Sequence, residues 1–126
     1  MPTATKKAQQ LQQRERAGRV VEAALDRKAL DVVALDVREL TSYADTFVLA
    51  TGTSDRHTRA IADAIREAWT AGGDRALGVE GYDEGRWVLI DLGDVIVHVF
   101  LAEVREEYSL ERLWSDARSI ELAANA

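Results

Sequence analysis

Apolar residues along this chain change their spacing several times, and each change marks an element. Val20, Val21, Ala24 and Leu25 recur at i, i+3, i+4 and predict a helix over 17–29. Two β-branched runs, 31–37 and 47–50, predict strands, with a polar turn around 41–45 between them. Ala60, Ile61, Ala64, Ile65, Ala68 and Trp69 form a second helical stripe, capped at its start by Ser54 or Asp55 and stopped by Gly72-Gly73. Downstream, 86–91 and 94–101 flank Leu92-Gly93, a link where glycine adopts positive φ easily, and they predict a β-hairpin. Tyr108, Leu110, Leu113 and Trp114 fall in short acidic helical pieces over 103–115.

Both faces of the hairpin strands are apolar, so both need cover, from helices or from another protein. The order helix, strand, strand, helix, hairpin, helix predicts an α/β fold with a mixed β-sheet and flanking helices. Before about Leu11 no apolar face recurs, so residues 1–16 read as a mobile basic tail, 17–118 as a single domain and 119–126 as a C-terminal tail.

Composition narrows the function. The 126 residues, 47% of them apolar, supply one core. Acids outnumber bases 22 to 16, which argues against general attraction to DNA, RNA or an anionic membrane. The imbalance is uneven. Residues 1–19 carry five bases against Glu15, a charge of +4, leaving 11 bases against 21 acids, or −10, in the remainder. Cysteine is absent, so disulfide scaffolds and thiolate sites are excluded, and two histidines cannot form a three-histidine metal centre. The longest apolar stretch, 95–102, is interrupted by His98 and is far short of the roughly 20 residues of a membrane span. The first residues hold no apolar run of the signal-peptide kind. A cytoplasmic protein is the expectation.

The loop Thr51-Gly-Thr-Ser-Asp55 sits where a strand meets a helix, yet it lacks both the P-loop lysine and the three-glycine dinucleotide pattern, so it reads as a capping loop. It resembles the glycine-serine start of nucleotidyltransferase-like domains, whose chemistry needs paired carboxylates holding magnesium. Ile96-Val-His98 stands on the strand where such a pair belongs, so no catalytic residue, metal or cofactor is expected. His98, among valines, reads as structural; His57 reads as solvated surface; Asp91-Leu-Gly-Asp94 reads as a turn rather than a calcium loop. Residues 80–116 hold ten acids against three arginines, with Tyr82, Trp87, Tyr108 and Trp114 interleaved. Large aromatics within a charged surface are the composition of a binding hot spot, and the charge favours a basic protein as partner. Trp87 itself fits either core or interface.

Five segments carry a family resemblance: 31–37, 44–57 (Ala-Asp-Thr-Phe-Val-Leu-Ala-Thr-Gly-Thr-Ser-Asp-Arg-His), 79–81 (Val-Glu-Gly), 86–100 (Arg-Trp-Val-Leu-Ile-Asp-Leu-Gly-Asp-Val-Ile-Val-His-Val-Phe) and 108–114 (Tyr-Ser-Leu-Glu-Arg-Leu-Trp). In sequence and order, over about 20–116, they resemble the ribosomal silencing factor (Iojap) family. Thr46 departs from the pattern, where a bulkier residue is expected. The resemblance implies a nucleotidyltransferase-like fold without catalysis. It also implies binding to the large ribosomal subunit through its fourteenth protein, which blocks joining of the small subunit and represses translation when nutrients are scarce. It carries over to Glu80, Gly81, Trp87, Asp91, Gly93, Asp94 and His98 as partner-binding positions, to which their neighbourhood adds Tyr82 and Arg86. A homodimer in isolation is expected from the two-sided hairpin. The alternatives are a small nucleotidyltransferase-like enzyme and a dimeric adaptor.

Overall fold

Alternation along the central strands decides which residues face which layer. In the computed structural model, which describes residues 5–120, helix α1 (Lys6–Asp26) leads to strands β1 (Leu30–Asp36) and β2 (Thr46–Gly52) and then to α2 (Asp55–Ala71). Strands β3 (Gly78–Glu80), β4 (Trp87–Asp91) and β5 (Val95–Leu101) follow, then α3 (Ala102–Tyr108), α4 (Leu110–Leu113) and β6 (Arg118–Ser119). The six strands form one mixed sheet in the order β3-β4-β5-β2-β1-β6. Only β2 and β5 run parallel; every other pair is antiparallel. The expected hairpin is present, with Trp87 opposite Phe100 and Leu89 opposite His98.

Val48 and Ala50 of β2, Val88 and Ile90 of β4, and Val95, Val97 and Val99 of β5 point to one side, where α1 and α2 bury them beneath Val20, Val21, Ile61, Ile65 and Trp69. Phe47, Leu49, Ile96 and Phe100 point to the other. There α3, α4 and the segment after them supply cover through Val104, Leu110 and Trp114, joined by Val37 and Ala44 of the connection between β1 and β2. The helical stripe of α2 matches the expectation closely: the Ser54 hydroxyl accepts from His57 N–H and Gly72 closes the far end.

Three boundaries differ from the sequence expectation. Residues 6–16 belong to α1 instead of a tail. Thr5 caps the helix by accepting from Ala8 N–H, and its opening turns are lysine, glutamine, alanine and leucine, good helix formers that extend a helix already fixed by packing further on. Gln13 is buried and donates to the Asp45 carbonyl (3.0 Å) and the Thr46 hydroxyl (3.2 Å). Thr46, the departure from the family pattern, thus gives a buried amide its acceptor. At the other end, Arg118 and Ser119 pair with β1 and Ile120 N–H donates to the Ala34 carbonyl, so the expected tail over 119–126 begins as sheet edge. The rest of that tail, 121–126, and residues 1–4 lie outside the described residues. Strand β3 had no sequence signal beyond its turn residues, being three residues long beside Gly81.

Candidate functional site

Aromatic rings gather on the thinly covered face. Trp87 is half-buried at the start of β4, and its ring lies 5.8 Å from Phe100, 5.9 Å from His98 and 4.8 Å from the exposed Tyr108. Phe47 meets His98 edge-on at 5.6 Å and Trp114 at 5.0 Å, with exposed Tyr43 at 6.1 Å. Leu89, half-buried, lies between Trp87 and Asp91 on the same side of β4. The result is a ridge of rings over a sheet, apolar at its centre, and α3, whose Tyr108 joins the ridge, also carries exposed Glu103, Glu106 and Glu107.

His98 anchors this ridge. It is 7% exposed, and its Nδ1 accepts the Trp87 Nε1–H at 3.0 Å, so the other ring nitrogen carries the proton of the neutral form. Burial pushes its pKa down to about 4. A neutral imidazole committed to an indole orients that indole, in keeping with the structural role expected of it.

The nine expected partner-binding residues do not form one surface. Trp87 and His98 belong to the ridge. Gly81, Tyr82 and Arg86 belong to the loop between β3 and β4, next to exposed Glu80. Gly81 has φ +78°, and a Cβ there would stand 2.1 Å from the Trp87 carbonyl oxygen, so only glycine lets this loop turn against β4. Tyr82 packs with the helix-side cluster and donates from its hydroxyl to Asp63 of α2, which also raises its pKa; its ring is therefore on the opposite side from Trp87. The loop is held to α2 by Thr58, whose hydroxyl donates toward the Asp55 and Gly85 carbonyls. Asp91, Gly93 and Asp94 form the hairpin turn, at the other end of β4 from Trp87. The Asp91 carboxylate accepts Gly93 N–H, and Gly93 has φ +96°. Asp94 is gripped by Arg16 through two bonds of 2.6 and 2.9 Å, a pairing that raises the arginine's pKa.

Arginines elsewhere act as struts. Arg16 and Arg19 stack on Trp69 with guanidinium carbons 4.4 and 4.6 Å from the ring centre, and both pair with Asp74. Arg105, buried, bonds Glu111, the Asp31 carbonyl and the Thr51 hydroxyl, tying α3 and α4 to the sheet. His57 is a half-buried strut where solvated surface was expected. Its Nδ1 accepts Thr53 N–H, which leaves Nε2–H to donate to the Arg27 carbonyl at 2.7 Å and joins the end of α1 to the start of α2. Sequence reasoning missed Gln13, Arg16 and Arg105, long polar side chains whose type gives no sign that they turn inward.

The comparisons agree with this architecture. A family model described as "Ribosomal silencing factor during starvation" matches residues 10–126. The chain is similar to the Bacillus subtilis protein named ribosomal silencing factor RsfS, 46% identical over 92 residues, which span 73% of this chain and 78% of that one. A crystal structure of a Chromobacterium violaceum protein superposes with a TM-score of 0.79 at 38% identity, covering 86% of this chain and 90% of that one. A more distant mouse protein, named "Mitochondrial assembly of ribosomal large subunit protein 1", is 33% identical over 90 residues, 69% of this chain and 40% of that one.

Proposed function

The chain belongs to the ribosomal silencing factor family, and from that premise we propose that it binds the large ribosomal subunit through that subunit's fourteenth protein, bars the small subunit from joining and represses translation when nutrients are scarce. The ridge around Trp87 is the observation that carries the reading. It sets a half-exposed tryptophan, an exposed tyrosine and a half-buried leucine against acidic side chains, the arrangement of an anchor within a polar rim. Proteins that coat ribosomal RNA are cationic as a class, and an acidic body is attracted to them and repelled by RNA phosphates. The name of the mouse relative supports the large subunit as the destination.

In this reading Trp87 makes the direct contact and His98 orients it, while Gly81, Tyr82, Asp91, Gly93 and Asp94 hold the hairpin that presents them. Glu80 and Arg86, both exposed, belong to the rim. The factor works in the cytoplasm and turns nothing over. Ile96 and His98 stand on β5 where nucleotidyl transfer would call for a carboxylate pair, and His98 is committed to Trp87, which supports a fold of that kind working without its chemistry. In the free protein the ridge closes against a second copy, so the homodimer and the ribosome complex compete.

The test mixes both purified subunits at associating magnesium concentrations and follows the joined particle in a gradient. Saturating protein should shrink the joined peak and migrate with the large subunit. Migration with the small subunit, or an undiminished joined peak, refutes the proposal. Light scattering of the free protein at micromolar concentration should give twice the chain mass; a single-chain mass refutes the dimer.

A further inference from the structure

The first turns of α1 are explained neither by the core nor by the ridge. Residues 5–12 are exposed, Leu11 at 55%, and Gln13 is the first side chain of the helix to bury. No acid precedes Glu15, and Lys6, Lys7 and Arg14 join no ion pair among the described residues. Arg16 and Arg19 differ, being occupied by Asp94, Asp74 and Trp69. At 100° per residue Lys7, Gln10, Leu11 and Arg14 share one flank of the helix, with Lys7 and Arg14 about 10 Å apart along it. The body behind this flank carries −10.

Gln10 borders a cavity that it lines with Asp36, Glu39 and Asp116, whereas Lys7 and Arg14 are exposed cations that join no ion pair among the described residues, and two such cations are the complement of a phosphate backbone. We propose that this overhanging flank of α1 binds RNA phosphates of the large subunit once the ridge has docked. The proposal rests on the docking reading and adds a second contact to it. A phosphate contact of this kind fixes the orientation of the factor without reading bases. An acidic protein segment is the rival occupant. Cationic ribosomal proteins would repel the arm while the RNA they coat attracts it, and that asymmetry favours RNA.

Full-length wild type and a Lys7→Gln, Arg14→Gln double variant are titrated onto large subunits between 50 and 200 mM potassium chloride, glutamine keeping the helix propensity. Replacing two phosphate-binding cations should make the slope of log K against log salt shallower by about 1.4–1.8, so wild type loses about tenfold more affinity than the variant across that range. A photo-crosslinking amino acid in place of Leu11 should label ribosomal RNA. Equal slopes with binding intact, or labelling confined to protein, overturn the arm and leave docking standing. Wild type that fails to bind large subunits overturns both.

Discussion

Acid should destabilise this fold well above the pH at which carboxylates protonate, and His98 is the reason. Its pKa is about 4 in the folded chain and about 6.5 once unfolding returns it to water. The unfolded state therefore takes up the proton first, and stability falls as pH drops from about 6.5 toward 4. Integrating between those two values, unfolding gains about 2 kcal/mol by pH 5 relative to pH 8, and no more than about 3.4 kcal/mol at lower pH. The geometry agrees with the sign. Protonation of Nδ1 would set an N–H against the Trp87 N–H that it now accepts. Urea unfolding of wild type and of His98→Asn, compared at pH 8 and pH 5, isolates the effect. An asparagine carbonyl keeps an acceptor near Nδ1 and does not titrate, and His57 is common to both proteins. The wild type should lose about 2 kcal/mol more than the variant over that range. Equal losses would show that His98 is not held neutral and that the ridge does not depend on its bond to Trp87. Glu111, lowered chiefly by its hydrogen bond from Arg105, contributes only at lower pH, where its protonation removes stability.

Trp87→Ala should weaken large-subunit binding by about 30-fold to 1,000-fold, the range for an aromatic anchor, as read by sedimentation. Trp87→Phe, which keeps an aromatic ring but removes the donor to His98 and part of the packed indole, should cost about 1–3 kcal/mol in urea unfolding. Gly81→Ala should cost more than about 2 kcal/mol by the same measurement, since it joins a left-handed φ to a Cβ placed against the Trp87 carbonyl. Asp94→Asn should lower stability by about 1 kcal/mol, because the pair with Arg16 is bidentate but partly solvated, and should leave the association rate nearly unchanged. Glu106→Gln with Glu107→Gln should do the reverse in stopped-flow association at low salt, both side chains being exposed and free of ion pairs among the described residues.

Elements whose evidence is periodic were legible from sequence. The stripe of α2 has a cap, six spaced apolar residues and a terminal glycine pair, so its ends could be read to within a residue. The start of α1 has no such stripe. Its helicity comes from propensity, from the Thr5 cap and from a core anchor further along, and its side-chain bonds to the rest of the fold are made by polar residues, Gln13 and Arg16. Strands β3 and β6 are three and two residues long and exist only through the partner they pair with, which a single segment does not disclose. Within the site, the motif positions were legible as a set, and the period of a strand also carries their faces. Alternation along β4 already puts Trp87, Leu89 and Asp91 on one side and Val88 and Ile90 on the other. Tyr82 lies beyond the strand in a loop, where alternation no longer applies.

The two faces of the sheet do different work, and the arginines explain how one chain supports both. On the helix side, Val, Ile and Trp69 pack to near-complete burial, and the arginines of α1 bind Asp74 and Asp94 over the rim of that core. Those acids are neutralised locally and contribute little field at a distance. On the other side, Arg105 ties α3 and α4 down together with the packing of Val104, Leu110 and Trp114, and Trp87 and Tyr108 are left reachable. Glu103, Glu106 and Glu107, which join no ion pair among the described residues, are exposed on the helix that carries Tyr108, so charge and apolar contact lie on neighbouring parts of the molecule. Both faces bury a cluster, but only the second leaves large rings, Trp87 and Tyr108, part-exposed at its edge among the described residues.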